Sequence, residues 1–371
     1  MKKIGILTLS ASDNCGSLLQ AYALQKYLAS NFCFDVQIIN LRTEKSDSIY
    51  SVFPKNILYH PKKLLFNLFY LKSILKQKKG YSFFRENYLN LTKKVYRNSK
   101  EIDSIVNDYD YLIAGSDQIW NVYMTDFDDS FFLPWNTDAV KISYAASLGT
   151  AFKIDKPISE MVTNRLRDFQ YISVREKRGK ETISTLTNKD VVVTVDPTLL
   201  LKAKEWDSLI GTPLINGPYI FFYSWSYPDA NMNKIVQKFA ADKGLTVYVI
   251  NSSKWYKFRP KDFGFKLFEE SGPLVFLNLI KNAKYVFVQS FHGAVFSYIF
   301  NKRYFFLSER GKDFIDVRSN QLISTVQHQD QVVSCYDDLD IALNSKLVFS
   351  SDSLCNVINE SKEFLARSLN C

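Results

Sequence analysis

Four short runs carry residue types suited to acid–base and anion chemistry, and each follows an apolar run that reads as a strand. Asp13-Asn14-Cys15-Gly16-Ser17 precedes an apolar helical run. Gly16 there allows close backbone approach, and a helix N-terminus offers N–H groups to an anion. Gly115-Ser116-Asp117-Gln118 follows YLIA. A carboxylate and a hydroxyl at a strand end can orient or deprotonate a substrate hydroxyl, and they can equally cap a turn. Arg175, closing YISVR, can grip a phosphate or carboxylate bidentately or pair structurally with Glu176. Ser290-Phe291-His292-Gly293 sits between YVFVQ and the helical run AVFSYIF. It presents an imidazole to any anion at that turn, although a lone histidine also serves as a structural residue. Asp196-Pro197 shares the same kind of position and reads as well as a turn.

These runs need a scaffold that brings strand ends to one edge. Buried-strand runs are expected at 4–9, 36–41, 111–114, 142–145, 172–174, 191–195, 219–223, 246–250, 285–288 and 304–307. Helical periodicity falls between them, at 18–28, 157–169, 231–243 and 275–283. Short apolar runs alternating with helices imply βαβ units and doubly wound parallel sheets, so the fold class is α/β. Ligands of such sheets bind beyond the carboxyl ends of the strands. At 371 residues the chain exceeds what one core usually organises. Two Gly and two Pro in residues 211–218 mark the boundary between domains at 1–210 and 211–371, the last helices packing back on the first domain.

A composition of 46% hydrophobic and 23% charged residues excludes a disordered chain. No run of about 20 apolar residues spans a bilayer. The apolar stretch of the N-terminus is too short for a signal peptide and reads as the first strand, so a cytoplasmic protein is expected. Five cysteines (Cys15, Cys33, Cys335, Cys355, Cys371) without a CxxC pair, and three histidines (His60, His292, His328) without ligand spacing, argue against a disulfide framework or a zinc site.

The net charge of +9 is uneven. Residues 55–100 hold twelve Lys and Arg against one acid, Glu86, a local charge of +11 that leaves the remainder at −2. Within this basic helical insert, 61–79 places Leu64, Leu68, Leu71 and Leu75 on one helical face. Such a face suits a contact with another domain or subunit, or peripheral contact with the inner face of the membrane. A nucleic-acid partner is not expected, because no reader motif accompanies the charge.

Together the motifs resemble the polysaccharide pyruvyl transferase family: NCGSLLQAYALQKYL, DYDYLIAGSDQIWN, KISYAASLG, ISVREKRG, VDPTLLL and KNAKYVFVQSFHGAVFSYIFNKRYF, in that order. The resemblance implies two Rossmann-like domains in a GT-B-like arrangement with an interdomain cleft. It also implies phosphoenolpyruvate as donor substrate, without a further cofactor, and a glycan or lipid-linked oligosaccharide as acceptor, pyruvylated as a ketal. Ketal formation needs an acid/base group and anion contacts, and no metal. His292 is then the acid/base or phosphate-contacting group, Arg175 the donor clamp and Asp117 the base for the acceptor hydroxyl. Asn14, Gly16, Ser116, Ser290 and Gly293 are the expected substrate-binding positions.

Family members often carry Arg-Leu-His-Gly where this chain has Ser290-Phe291-His292-Gly293, and an aromatic residue where it has Cys15. Two other readings remain open: a GT-B-like glycosyltransferase using a nucleotide-sugar donor, and a non-catalytic glycan- or membrane-binding relative.

Overall fold

The computed structural model describes the chain apart from residues 54–60, 225–228, 310, 312–314 and 371, and apart from the side chains of 61, 63 and 252–254. His60 and Cys371 therefore lie outside the described residues. The chain divides into two compact units. The first comprises Met1–Lys55, Phe84–Leu201 and Cys355–Cys371, and the second Asn56–Phe83 and Lys202–Leu354. The division falls at Leu201, ahead of the Gly/Pro run at 211–218.

The first unit is built on β1 (Lys3–Leu7), β2 (Asp35–Ile38), β3 (Tyr111–Ala114), β4 (Val140–Ala146), β5 (Tyr171–Val174) and β6 (Val191–Val193). They form one parallel sheet in the order β2-β1-β3-β4-β5-β6. The strands are mostly apolar, as expected where both faces of a parallel sheet are covered, and all four residues of β3 are buried. Trp120 stacks on Phe132 at 5.1 Å, with Phe169 edge-on to it at 5.7 Å. The helix Asp352–Ser368 supplies residues to this unit from the far end of the chain. Ser361 Oγ accepts from the Val195 N–H at 2.9 Å, and the Leu369 carbonyl accepts from the Tyr111 hydroxyl at 2.9 Å.

The second unit carries β7 (Tyr219–Tyr223), β8 (Thr246–Val249), β9 (Lys266–Leu267), β10 (Tyr285–Val288), β11 (Tyr304–Leu307) and β12 (Val332–Val333). They lie in the parallel order β12-β11-β10-β7-β8-β9. Phe239 sits edge-on to Phe287 and Phe305, each at 5.3 Å, in the core. The α/β reading holds for both halves. Among the described residues no helix is long and apolar enough to cross a membrane.

The helix Pro61–Phe69 is followed directly by the helix Leu71–Tyr88, whose residues up to Phe83 belong to the second unit. Tyr70 stacks on Tyr256 with ring centroids 3.6 Å apart. Gly80 packs so tightly on Ser271 that a Cβ there would lie 1.8 Å from the Ser271 carbonyl oxygen. The inward face thus runs through Asn67, Tyr70, Gln77 and Gly80, while Leu68 and Leu75 of the expected leucine face are about half exposed. The contact is made by aromatic stacking and a glycine notch, with Leu64 and Leu71 half-buried and Leu68 and Leu75 turned outward.

Candidate active site

In each unit the first strand of the sheet has its successor on one side and a later strand on the other. Chain direction along the sheet therefore reverses between β1 and β3, and again between β7 and β10. Helices leaving neighbouring strands diverge at such a point and open a crevice beyond the carboxyl ends. All four sequence motifs lie at the carboxyl ends of strands, on one or other of these two crests.

On the first crest, Asn14 caps the helix Cys15–Asn31 and accepts from the Gly16 and Ser17 N–H groups at 2.9 and 3.4 Å. The Gly16 N–H thus already has a protein acceptor. Arg85, from the basic insert, holds the approach to this cap by donating to Asp13 at 2.9 Å and to the Ser12 carbonyl at 3.1 Å. Across the β1/β3 crevice Ser17 Oγ donates to Asp117 Oδ2 at 2.5 Å.

Asp117 has φ 73° and ψ −173°, a region that L-residues other than glycine rarely occupy. Its conformation is held from several sides. Oδ1 accepts from the Gln118 N–H at 2.9 Å, and its carbonyl accepts from the Ser147 N–H at 2.9 Å. Such a conformation costs about 1–3 kcal/mol and persists only where the surroundings over-determine it.

Behind Asp117 lies a buried charged network. Arg175 is 3% exposed and donates to Asp196 Oδ2 at 2.7 Å and to Glu176 Oε1 at 3.0 Å, with Asp117 Oδ1 4.0 Å away. Burial works against the guanidinium's charge, but Glu176, Asp196 and Asp117 outweigh it and hold its pKa above the ordinary range. Ser147 also donates to Glu176, at 2.6 Å, and Ser116 and Thr198 donate to Asp196 at 3.2 and 2.7 Å. Ser116 is wholly buried. The structural pairing of Arg175 with Glu176 that the sequence left open is present, and it is one edge of a larger cluster. Among the described residues no group of three or more His, Cys, Asp or Glu side chains is placed to hold a metal ion.

Beside this crest a small cleft, with about 20 Å³ of cavity space, is lined by Ser12, Thr43, Tyr50 and Asp126. The Tyr50 hydroxyl donates to Asp126 at 3.1 Å, and burial followed by the Asp126 charge pushes its pKa up.

On the second crest, Ser290 caps the helix Phe291–Ile299, its Oγ accepting from the Gly293 N–H at 3.1 Å. This N–H, like that of Gly16, is taken by its cap. Gly293 has a packing role: a Cβ there would lie 2.7 Å from Val288 Cγ1 and 2.8 Å from Ser290 Oγ. His292, 9% exposed, lies in the first turn of this helix beside Phe291, ring centroids 5.1 Å apart. At the end of β7, Ser224 donates to Gln289, which in turn donates to Glu309 at 3.0 Å.

His328, in the same unit, has a different role. Its Nε2 donates to the Val348 carbonyl at 3.0 Å, so Nδ1 accepts from the Tyr304 hydroxyl at 3.2 Å. Burial lowers its pKa and keeps the ring neutral.

The structure thus places Asn14, Gly16, Ser116, Asp117 and Arg175 on one crest and Ser290, His292 and Gly293 on the other. Sequence reasoning missed Ser17, whose partner is 100 residues away. It also missed Asp196 as a network member, because Asp-Pro reads as a turn.

No curated protein matches the chain. Among solved structures, a Staphylococcus aureus MnaA–UDP structure is similar at TM-score 0.55 and 12% identity, covering 100% of this chain and 97% of that one. A Methanocaldococcus jannaschii UDP-GlcNAc 2-epimerase, solved with UDP-GlcNAc and UDP, is similar at TM-score 0.54 and 13% identity, covering 99% and 100%. At such identities the likeness shows the fold, that of two Rossmann-like units of GT-B type. The family model for polysaccharide pyruvyl transferase matches residues 14–310, from the first helix cap to beyond the histidine motif. The chain belongs to the polysaccharide pyruvyl transferase family.

Proposed function

We propose that this protein transfers a pyruvyl group from phosphoenolpyruvate to two hydroxyls of one sugar, in a cell-surface polysaccharide or its lipid-linked precursor, forming a ketal. The observation that carries the reading is His292 in the first turn of the helix Phe291–Ile299, within the family-matching segment. A helix N-terminus and an imidazole together suit a phosphate that must also exchange a proton.

In the reaction the donor's methylene carbon gains a proton and becomes the methyl group. Two sugar oxygens bond to the adjacent carbon, and the carbon–oxygen bond to phosphate breaks. One hydroxyl proton balances the methyl group and the other leaves with inorganic phosphate. We assign His292 the proton exchange at the donor and Asp117 the deprotonation of the acceptor hydroxyl. Arg175 is a positioning residue, acting through the carboxylates it binds. The acceptor's lipid carrier gives the enzyme a cytoplasmic place at the inner face of the cell membrane.

The test is incubation with phosphoenolpyruvate and a glycan panel, read by mass spectrometry. A parallel arm supplies UDP-sugars, because the structural neighbours were solved with UDP or UDP-GlcNAc. The expected result is the mass gain of one pyruvyl ketal in the first arm only. Glycosyl transfer in the second arm with no ketal in the first overturns the reading, as does inertness in both arms across the panel.

A further inference from the structure

We infer that the outward face of the insert helices is a docking surface for an anionic lipid bilayer. Hydrogen bonds from the Tyr70 N–H to the Phe66 carbonyl and from the Ile74 N–H to the Tyr70 carbonyl carry the helical turn across the junction of Pro61–Phe69 and Leu71–Tyr88. Positions 65, 68, 69, 72, 75, 76 and 79 therefore share one face, at helical spacing. That face is apolar and exposed: Leu65 is 66% exposed, Leu68 50%, Phe69 88% and Leu75 49%. Lys62, Lys72, Lys76 and Lys79 are exposed around it. The opposite face is fixed by the Tyr70–Tyr256 stack and the Gly80 notch, so the outward side chains sit on an anchored helix.

Charge selects the occupant. The stretch 55–100 holds one acid, Glu86; Glu269 and Glu270, from outside it, pair with Lys76 at 2.8 and 3.8 Å, and the Glu269 charge also acts on Lys72, so the lysines of the face outnumber the acids beside it. A second copy docking this face against itself would set lysines against lysines, because a two-fold interface repeats one patch. An aqueous polyanion would leave Phe69 and Leu65 in water. A bilayer carrying anionic headgroups meets both requirements, with the aromatic and leucine side chains at the headgroup–acyl boundary and the lysines at the phosphates. The inference shares its location with the proposed function but not its donor chemistry, so vesicle binding and ketal formation can fail independently.

Flotation of the full chain with phosphatidylcholine vesicles, and with phosphatidylcholine–phosphatidylglycerol vesicles, tests it. Binding is expected to the anionic vesicles only, and to weaken as salt shortens the screening length to about 8 Å at physiological strength. Replacing Lys72 and Lys79 with Glu should weaken binding at low salt at least about tenfold, since each surface lysine is worth roughly fivefold. Leu65→Ser with Phe69→Ser should weaken it about tenfold or more by removing apolar burial. These positions are exposed, and an unchanged circular dichroism spectrum confirms folding. Three results each overturn the inference: no flotation with anionic vesicles at low salt, equal flotation with neutral vesicles, or variants that float like the parent. Light scattering that shows a dimer dispersed by Phe69→Ser also overturns it, assigning the face to a second copy.

Discussion

The two crests occupy the same place in two sheets of the same general plan, yet they are filled in opposite ways. On the first, one guanidinium lies among three carboxylates, and Arg175, Glu176 and Asp196 are all nearly inaccessible. On the second, the crest is made of hydroxyl and amide groups, a helix N-terminus and one imidazole, with the single carboxylate Glu309 accepting from Gln289. A buried ion network holds shape because removing any member leaves an uncompensated charge. Equivalent strand-end positions thus differ in build: the arginine motif sits in a buried ion network, whereas the histidine motif opens a helix. Asp117 differs from the rest of the first crest in that its backbone is held against its own preference.

The largest effect expected from this contrast is on stability. Arg175→Met leaves Glu176 and Asp196 buried without their cation and should destabilise the first unit by about 3–5 kcal/mol, measured by denaturant unfolding. A loss below about 1 kcal/mol would show that Arg175 is not structural and return it to the donor. His292→Gln should do the reverse, lowering turnover roughly 10²–10⁴-fold while stability moves by less than about 1 kcal/mol. Paired kinetics and thermal unfolding of the two variants measure both halves of the contrast.

Smaller effects sharpen it. Gly293→Ala should cost about 1–3 kcal/mol, because the new methyl meets Val288 and its own cap. Ser17→Ala removes a hydroxyl donor to a carboxylate and should cost about 1.5–3 kcal/mol at most, with activity falling further than stability. The smallest effect is the pH dependence set by His328. The folded state holds its ring neutral, so its contribution is fully present above the unfolded pKa of about 6.5. That contribution falls as pH drops below this value, because the unfolded chain then binds a proton that the folded chain does not. Unfolding midpoints measured from neutral to mildly acid pH should decline, and His328→Gln should flatten the decline.

Ten of the strands were legible in the sequence because parallel strands covered on both faces read as unbroken apolar runs. The two-residue pairs Lys266–Leu267 and Val332–Val333 were not, since an edge of that length leaves no periodicity. The basic insert was legible as a helix, but whether its leucine face turned inward or outward was not. The stacking partner Tyr256 and the Ser271–Gly272 backbone lie far along the chain, so nothing local announces a notch at Gly80. Likewise the pairing of Arg175 with Glu176 was readable as a neighbour relation. Asp196 and Ser17 entered the site only through sheet order, which places β3 between β1 and β4 and sets β6 beside β5.

Phosphorus NMR of one mixture shows whether the histidine crest serves transfer from phosphoenolpyruvate. The full chain is incubated with phosphoenolpyruvate, UDP-sugars and a glycan that mass spectrometry shows to be an acceptor, in parallel with the His292→Gln variant. Inorganic phosphate should appear from phosphoenolpyruvate in step with ketal formation while the UDP-sugars persist, and the variant should release it far more slowly. Consumption of a UDP-sugar beside untouched phosphoenolpyruvate, or equal phosphate release by the variant, would contradict that role.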